Sequence, residues 1–555
     1  MVKHVCGVRR RSPVMAGLTA LVIAGGLAGC SELDIGPEPS SEVGADARGA
    51  HSMTDPALQA VTPTAMGDPS ATMPGDATQG ATLPAGATLP DSLSVQEAIL
   101  IGLQNNVNLR VQRYSVPITR TAEETARAQF DPTVTGSIQG GRSGAGTPQT
   151  GTTTTDSINA TAGVTEFLPT GTTVQGSLST ANAFYSESSE SLSANLTVTQ
   201  ALLRGAGLDV NLATLRQAEL STKVSQYQLR GVAESLVASI EETYWNLAYA
   251  QRQVAIVENA LKVAQDQLDS TNASIRVGRI AETERAAAQA QVELEKELLI
   301  NAKSTLETTR LEMYQLLTPG SRPFWDRKID LSTNPFIPRG TMETVEAHAD
   351  VAMRMRPEIN EAKLELQSGQ LQVVRTKNGL LPRLDLFVTL GKSSFASSFG
   401  GSITNLNGPD YQAILGVQGD WEPINRAARA SYRAAELTRD QLEDTLDNQR
   451  QLVQLDVRKQ YIEVQRTREQ IDATSATRQS EETSLKVEQA KFQQGRSTSL
   501  LVAQVQQSLL AAQLAEVQAV TSHLNALVEL YRLEGSLLSR RGINAPGSEP
   551  VAAQR

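Results

Sequence analysis

The chain is poor in cysteine, aromatics and histidine, and each shortage removes a class of protein. Of 555 residues only Cys6 and Cys30 carry thiols, so a disulfide framework is excluded. His4, His51, His348 and His523 are scattered, with none paired at ligand spacing, and no metal site follows from them. Basic residues number 50 against 60 acidic ones, the wrong balance for a nucleic-acid face. No run of about 18 apolar residues follows the N-terminal region, so no transmembrane helix is expected beyond it. Gly205-Ala206-Gly207 precedes a helix without a strand–helix–strand unit around it, and reads as a strand-to-helix bend, not a phosphate loop. Glu282 and Glu284 are neighbouring carboxylates on a helical tip and read as solvated charges. Neither an enzyme nor a cofactor is expected.

The N-terminus is richer in signals. Lys3, Arg9, Arg10 and Arg11 precede an apolar run from Val14 to Leu27, and Leu27-Ala28-Gly29-Cys30 follows. A basic start, a short apolar stretch and small residues at the cut describe a secretory signal. Its ending looks like a bacterial lipobox, in which the cysteine becomes the first mature residue and carries lipid. Residues 1–29 are therefore expected as a lipoprotein signal peptide, with Cys30 lipidated and no other thiol left. Ser31 follows, not Asp, which by resemblance to enteric sorting rules favours the outer membrane. Residues 30–90 hold eight of the 23 prolines and repeat Ala-Thr-Leu-Pro. Such a composition buries too little apolar surface to offset its ordering entropy, and predicts a disordered tether.

Folded sequence begins near Leu93 and is duplicated. Asp91 to Ala98, with Ser94 and Glu97 in capping-box spacing, reads like Thr341 to Ala347, 250 residues later. Asn106-Val107-Asn108-Leu109 matches Arg356-Pro357-Glu358-Ile359, and Phe130-Asp131-Pro132 matches Leu380-Leu381-Pro382, at the same offset. The first repeat is placed at 91–340, the second at 341–540, and 541–555 is expected as a disordered tail.

After each proline the pattern switches from helical to alternating. Short β-type runs follow, with strands expected over 132–200 and 383–421. They alternate apolar residues with Thr, Ser, Gln and Asn, as transmembrane barrel strands do. Nine of the 22 aromatics lie there: Phe130, Phe167, Phe184, Tyr185, Phe387, Phe395, Phe399, Tyr411 and Trp421. Their clustering beside strand ends suits interfacial girdles.

Long helices come next, with no proline between Pro169 and Pro319 or between Pro423 and Pro546. Leu236, Ile240, Tyr244 and Leu247, then Val254, Val257, Leu261, Ala264 and Leu268, step by three or four, a coiled-coil seam. A helix of about 65 residues spans about 100 Å. Each breaks at one glycine, at Val277-Gly278-Arg279-Ile280 and at Gly495-Arg496-Ser497, the place of a left-handed cap. Two helical hairpins are predicted, over 209–317 and 424–537. Their glycines are 217 residues apart, so 33 residues are extra in the first strand region. An added β-hairpin around Leu168-Pro169-Thr170-Gly171, or a long loop, would account for them.

In this order the features resemble the outer-membrane efflux protein family, the TolC-like channels, over about 91–537; the lipobox suggests a lipoprotein-type subgroup. The resemblance implies a mixed α and β fold: a membrane β-barrel continuous with a long α-helical coiled-coil barrel, internally duplicated and trimeric. It implies a homotrimer in the outer-membrane lipid, whose hairpin tips (Val277, Gly278, Arg279, Ile280, Gly495, Arg496, Ser497) meet a periplasmic adaptor joined to an inner-membrane pump. Residues 319–345 and the C-terminal end would belt the tube. Family subunits usually give four strands, a count that the 33 extra residues put in doubt. Relatives ring the closed pore with acidic residues six and nine places after the second glycine; here Leu501 and Gln504 stand there, so the acidic ring is missing and these two, with Glu284, are the candidates for a constriction that would be hydrophobic instead. Glu284 matches an acidic position of the first repeat, and a Glu284–Arg496 pair is expected to help close the tips. The expected function is export, with small-molecule efflux favoured, a type I protein-secretion duct as the alternative, and a non-channel coiled-coil lipoprotein as the reading from another class.

Overall fold

The computed structural model describes residues 92–147, 151–184, 189–317, 329–335 and 342–551. The expected signal peptide, Cys30 and the 30–90 tether lie outside them, as do 319–328 and 336–341 of the expected belt. The described elements fall into two series, before and after residue 341. The first holds β1 (Ser92–Leu93), α1 (Val95–Asn105), α2 (Val107–Arg113), α3 (Ser115–Arg127), β2 (Thr133–Thr147), β3 (Gly151–Leu168), β4 (Thr172–Phe184), β5 (Ser189–Ala201), α4 (Leu208–Asn211), α5 (Ala213–Arg276), α6 (Glu284–Leu317) and β6 (Asp330–Leu331). The second holds α7 (Val345–Met355), α8 (Pro357–Asn378), β7 (Arg383–Ala396), α9 (Phe399–Asn405), β8 (Tyr411–Asp420), α10 (Arg426–Gln493), α11 (Ser499–Leu533) and α12 (Leu537–Arg540).

Local chemistry explains the boundaries. Ser94 and Glu97 cap each other at the start of α1, so two orphan helix donors are satisfied. Asn106 and Arg356 both leave the helical region, at φ −61°, ψ 123° and φ −61°, ψ 127°, so the one helix expected before each strand set is broken at matched places. The short helix α9 between β7 and β8 had no expected counterpart.

The strands form one open antiparallel sheet in the order β2-β3-β4-β5-β7-β8. Four strands lie between α3 and α5, and two between α8 and α10. The extra residues therefore build a hairpin, not a loop, and among the described residues this sheet holds six strands, against the four that the resemblance implied. Two apolar cores join the helices. One gathers Ile99, Ile240, Tyr244, Leu247, Met313 and Leu317; the other gathers Ile359, Val453, Val457, Val464, Leu527 and Leu530. From the predicted seam, Ile240, Tyr244, Leu247, Val257 and Ala264 are buried. The parallel pairing of β1 with β6 is tied to α5, where the Tyr244 hydroxyl donates to Leu93 O at 2.9 Å and accepts from Thr333 N–H at 3.0 Å.

The C-terminal segment departs from the expected disordered tail. Arg230 donates to Gly535 O at 2.8 Å and to Gly547 O at 2.7 Å, and Val551 N–H donates to Asn360 Oδ1 at 3.1 Å. Arg541 forks onto the buried Glu241 with two 2.7 Å bonds. Residues 541–551 are thus strapped to α5 and α8. Their polar composition hid this, because the partners are side chains some 190–320 residues away in sequence.

Candidate functional site

Strand register sorts the side chains into two faces, because residues opposite each other share a face. Val134↔Val164, Ile138↔Ala160, Ala162↔Leu178, Val174↔Val198, Leu196↔Leu390, Val388↔Leu415 and Leu386↔Val417 are such pairs. They make one continuous apolar face, and Val134, Ile138, Leu178, Leu196, Leu390, Leu415 and Val417 stand exposed on it. Thr135↔Gly163, Ser137↔Thr161, Gln175↔Thr197, Ser177↔Asn195 and Thr197↔Thr389 make the opposite face, built of hydroxyls and amides.

The apolar face has edges. Glu166 ends it near the helices. At the other end stands a polar row: Arg142, which forks onto Asp156 at 2.6 and 2.8 Å, then Asn182 bonded to Glu190 at 2.7 Å, then Lys392. The ten-residue step from Asp156 to Glu166 is about 34 Å of strand at ~3.4 Å per residue, or about 25 Å of height at a ~45° tilt, the thickness of an outer-membrane apolar band. The aromatics fall at both ends. Phe130 stacks on Phe167 at 6.0 Å beside the helices, and exposed Trp421 follows β8 where that strand returns to them, while exposed Phe395, Phe399 and Tyr411 lie at the far end.

Each sheet-to-helix junction needs an uncommon backbone. Gly205 and Gly207 adopt φ +84° and +98° at the bend expected between the strands and the helix. The Asn211 amide donates to Pro169 O at 3.0 Å and to Gly205 O at 2.9 Å, and so ties the β3–β4 turn to the start of the helices. At the second junction Asn425 sits at φ +29° and caps α10 through Ala428 N–H.

The far ends of the hairpins are the predicted tips. Gly278 and Gly495 adopt φ +69° and +72°. In each, the glycine N–H and the next N–H bond back to the helix: Gly278 to Ile275 O and Arg279 to Ser274 O, Gly495 to Phe492 O and Arg496 to Lys491 O, all at 2.9 Å. Both are Schellman caps, which turn the chain sharply and leave the next residues outward. Val277, Gly278, Arg279, Gly495 and Arg496 are exposed, with Ile280 and Ser497 half-buried.

The expected Glu284–Arg496 pair gives way to another contact. The Glu284 carboxylate accepts from Ser499 N–H at 2.9 Å and from the Ser499 hydroxyl. It therefore satisfies an orphan donor in the first turn of α11, where the helix dipole also favours an anion. Thirteen residues past Gly278, Gln291 accepts from Gln507 at 3.1 Å and donates to Glu295 at 2.7 Å, so α6 and α11 are stitched by polar side chains. Glu488 accepts from Lys491 at 2.9 Å and from the Ser497 hydroxyl, which holds it below the usual carboxylate range. Leu501 and Gln504 are exposed on α11, while Val502 and Ala503 face inward. Within one chain, then, the three candidate constriction residues are not gathered: Glu284 is a cap, and Leu501 and Gln504 stand on the outer face of their helix. Ser499 and Glu488 were missed by the sequence reading. Glu284→Ala is expected to cost the tip about 1 kcal/mol and to speed amide exchange at Ser499 and Leu500. Unchanged exchange there would count against the cap.

A cavity of about 1030 Å³ opens between α2, α5, α8 and α11, lined among others by Asn106, Gln228, Glu234, Glu358, Glu361 and Arg532. Burial, with the nearby charge of Glu358, pushes the Glu361 carboxyl up to about 7. A carboxyl raised above its unfolded value holds a proton that the unfolded chain releases, so its contribution is full below about pH 4.5 and is lost as pH rises through about 7. Stability is therefore expected to fall between pH 5 and 8. Glu361→Gln should remove about 1–2 kcal/mol of that slope, after discounting for the part of the side chain that meets water. Denaturant midpoints at both pH values check this, and equal slopes in the two proteins would refute it.

A sheet that is apolar on one face and hydroxyl-lined on the other, joined to long hairpins, defines a class: channel proteins of the outer membrane with a helical extension. Residues 101–318 and 349–536 match the outer membrane efflux protein family, and the chain belongs to it. It is 24% identical over 337 residues to the pyoverdine export outer membrane protein OpmQ of Pseudomonas aeruginosa, covering 58% of this chain and 66% of that one, just under two thirds. Its fold is similar to that of CusC, at TM-score 0.60 and 18% identity, covering 80% of this chain and 92% of the other. It is also similar to the Campylobacter jejuni CmeC outer membrane channel, at TM-score 0.59 and 17% identity, covering 80% and 86%. This family and fold are those of TolC-like efflux channels.

Proposed function

We propose that the chain is the outer-membrane component of a tripartite export system, an internally duplicated subunit of a homotrimer whose strands close one barrel and whose helices extend it into the periplasm. The observation that carries this reading is the two-faced sheet. Its apolar band matches a membrane in height, and its polar face suits a water-filled passage. Arg279, Ile280, Arg496 and Ser497 at the two tips would meet a periplasmic adaptor coupled to an inner-membrane pump, because both caps present these residues at the end of a hairpin. A relative named for pyoverdine export supports a cargo-carrying role over a structural one, and small-molecule efflux is the favoured activity. Cys30 is proposed to carry the N-terminal lipid that tethers the chain to the outer membrane.

The test is reconstitution and complementation. The purified protein in planar bilayers should give discrete conductance steps, and its loss from the host should raise sensitivity to exported compounds. Charge reversal at the tips, Arg279→Glu with Arg496→Glu, should abolish complementation while leaving the bilayer conductance. Absence of any conductance would sink the channel reading. Full complementation by the reversed tips would sink the adaptor contact. Mass spectrometry of the mature N-terminus checks Cys30.

A further inference from the structure

Six strands per chain change how the barrel must close. β2 and β8 are the two edges of the sheet, and within the chain neither edge pairs with the other. They are long, of 15 and 10 residues, and neither contains proline. Arg142 is the only charge on β2 and Asp420 the only one on β8. Proteins blunt a sheet edge with prolines, bulges, inward charges or a covering helix, and these two carry almost none of that. Their apolar faces are the barest of the sheet: Val134 is 80% exposed, Ile138 79% and Leu415 74%. In hydrocarbon an unpaired row of backbone N–H and C=O groups is not sustained, so both edges must be paired.

Direction and face identify the partner. Every neighbouring pair in the sheet is antiparallel, so with an even number of strands β2 and β8 run in opposite directions. β2 leaves the helices after Pro132, and β8 returns to them before α10. A second copy, rotated about an axis along the membrane normal, sets its β2 antiparallel beside β8 of the first. The apolar faces stay on the same side. All alternation is kept, and no flip is required.

We propose that β8 of each copy pairs with β2 of the next, that all six strands of each chain enter the wall, and that three copies therefore close a barrel of eighteen strands. The trimer in this count rests on the proposed function; the six strands per copy do not. Four strands per copy would make twelve, and barrel diameter grows about linearly with strand number, so eighteen strands give a barrel about 1.5-fold wider. Barrels of that size leave an aqueous channel, and here its lining would be mainly Thr, Ser, Asn and Gln from the polar face. The hairpin that widens the wall is anchored to the helices, because Asn211 donates to Pro169 O and Gly207 N–H to Thr170 O at 3.3 Å. That bracing holds its turn at the rim, in line with the other strands.

Electron cryomicroscopy of the full-length protein in lipid nanodiscs, at a resolution that separates strands about 4.8 Å apart, reads the count directly. Six strands per copy, with β2 of one copy beside β8 of its neighbour, is the expected result. Four strands per copy in the wall, with one two-stranded hairpin from within residues 133–201 folded outside it, would overturn the inference. Copy number is read independently from the same map. A number other than three would sink the proposed trimer and the total of eighteen while upholding the six-strand subunit and its edge pairing.

Discussion

Leu196→Arg is expected to remove most of the folded, membrane-inserted protein, whereas Ser177→Arg is expected to leave it inserted. Leu196 stands midway along β5, opposite Gly176 on one side and Leu390 on the other, within the apolar face. A guanidinium there would face hydrocarbon, at a cost of about 2–4 kcal/mol near the bilayer midplane. Ser177 lies at the same depth on β4, opposite Gly163 and Asn195, within the polar face. The same arginine there would meet water and hydroxyl neighbours. Heat-modifiable migration and urea unfolding from liposomes give the comparison. Equal losses in the two variants would mean that the faces have been assigned wrongly.

Gly171→Ala is expected to destabilise the protein by about 2–5 kcal/mol. Two independent effects combine. Gly171 adopts φ +87°, a backbone in which an L side chain costs about 1–2 kcal/mol. A Cβ there would also lie 2.2 Å from Gly205 O and 3.2 Å from the Asn211 amide, so backbone must shift, at a further cost of about 1–3 kcal/mol. The injury would fall where the sheet is braced to the helices, since Gly171 O accepts from Ala201 N–H at 3.0 Å. Gly140→Ala is the control. A Cβ at Gly140 meets nothing within 4 Å, and its change should stay within about 0.5 kcal/mol. Comparable unfolding midpoints for the two variants would contradict the account of the junction.

Much of this architecture was written locally. Pro132 and Pro382 end the helical pattern, and strands start one residue later at Thr133 and Arg383. The two tip glycines were legible because a left-handed residue ending a long helix strongly favours glycine. Alternation of apolar residues with Thr, Ser, Asn and Gln set the two faces before any register was known, since side chains alternate along a strand. The capping box of Ser94 and Glu97 needs only three residues of spacing. Even the asymmetry was countable, as a difference between the two offsets.

What the sequence could not decide depended on which distant groups meet. A 33-residue excess is equally a loop or a hairpin until backbone partners are assigned, and only the pairing of β3 with β4 and β4 with β5 shows it to be paired strands of the sheet. The charge pattern suggested Arg496 for Glu284. The fold brings Ser499 to it instead, because two Schellman turns set the first turn of α11 beside the first residue of α6. The polar C-terminal residues read as a tail, yet Arg230 and Asn360 hold them through backbone groups that no side-chain pattern advertises. For the long helices, their tips and the strand faces, the sequence by itself determined the element, through periodicity and local backbone preference. The tertiary structure alone determined the partners, because a hydrogen bond across some 200 residues depends on where two helices or strands are set down and leaves no local pattern in the chain.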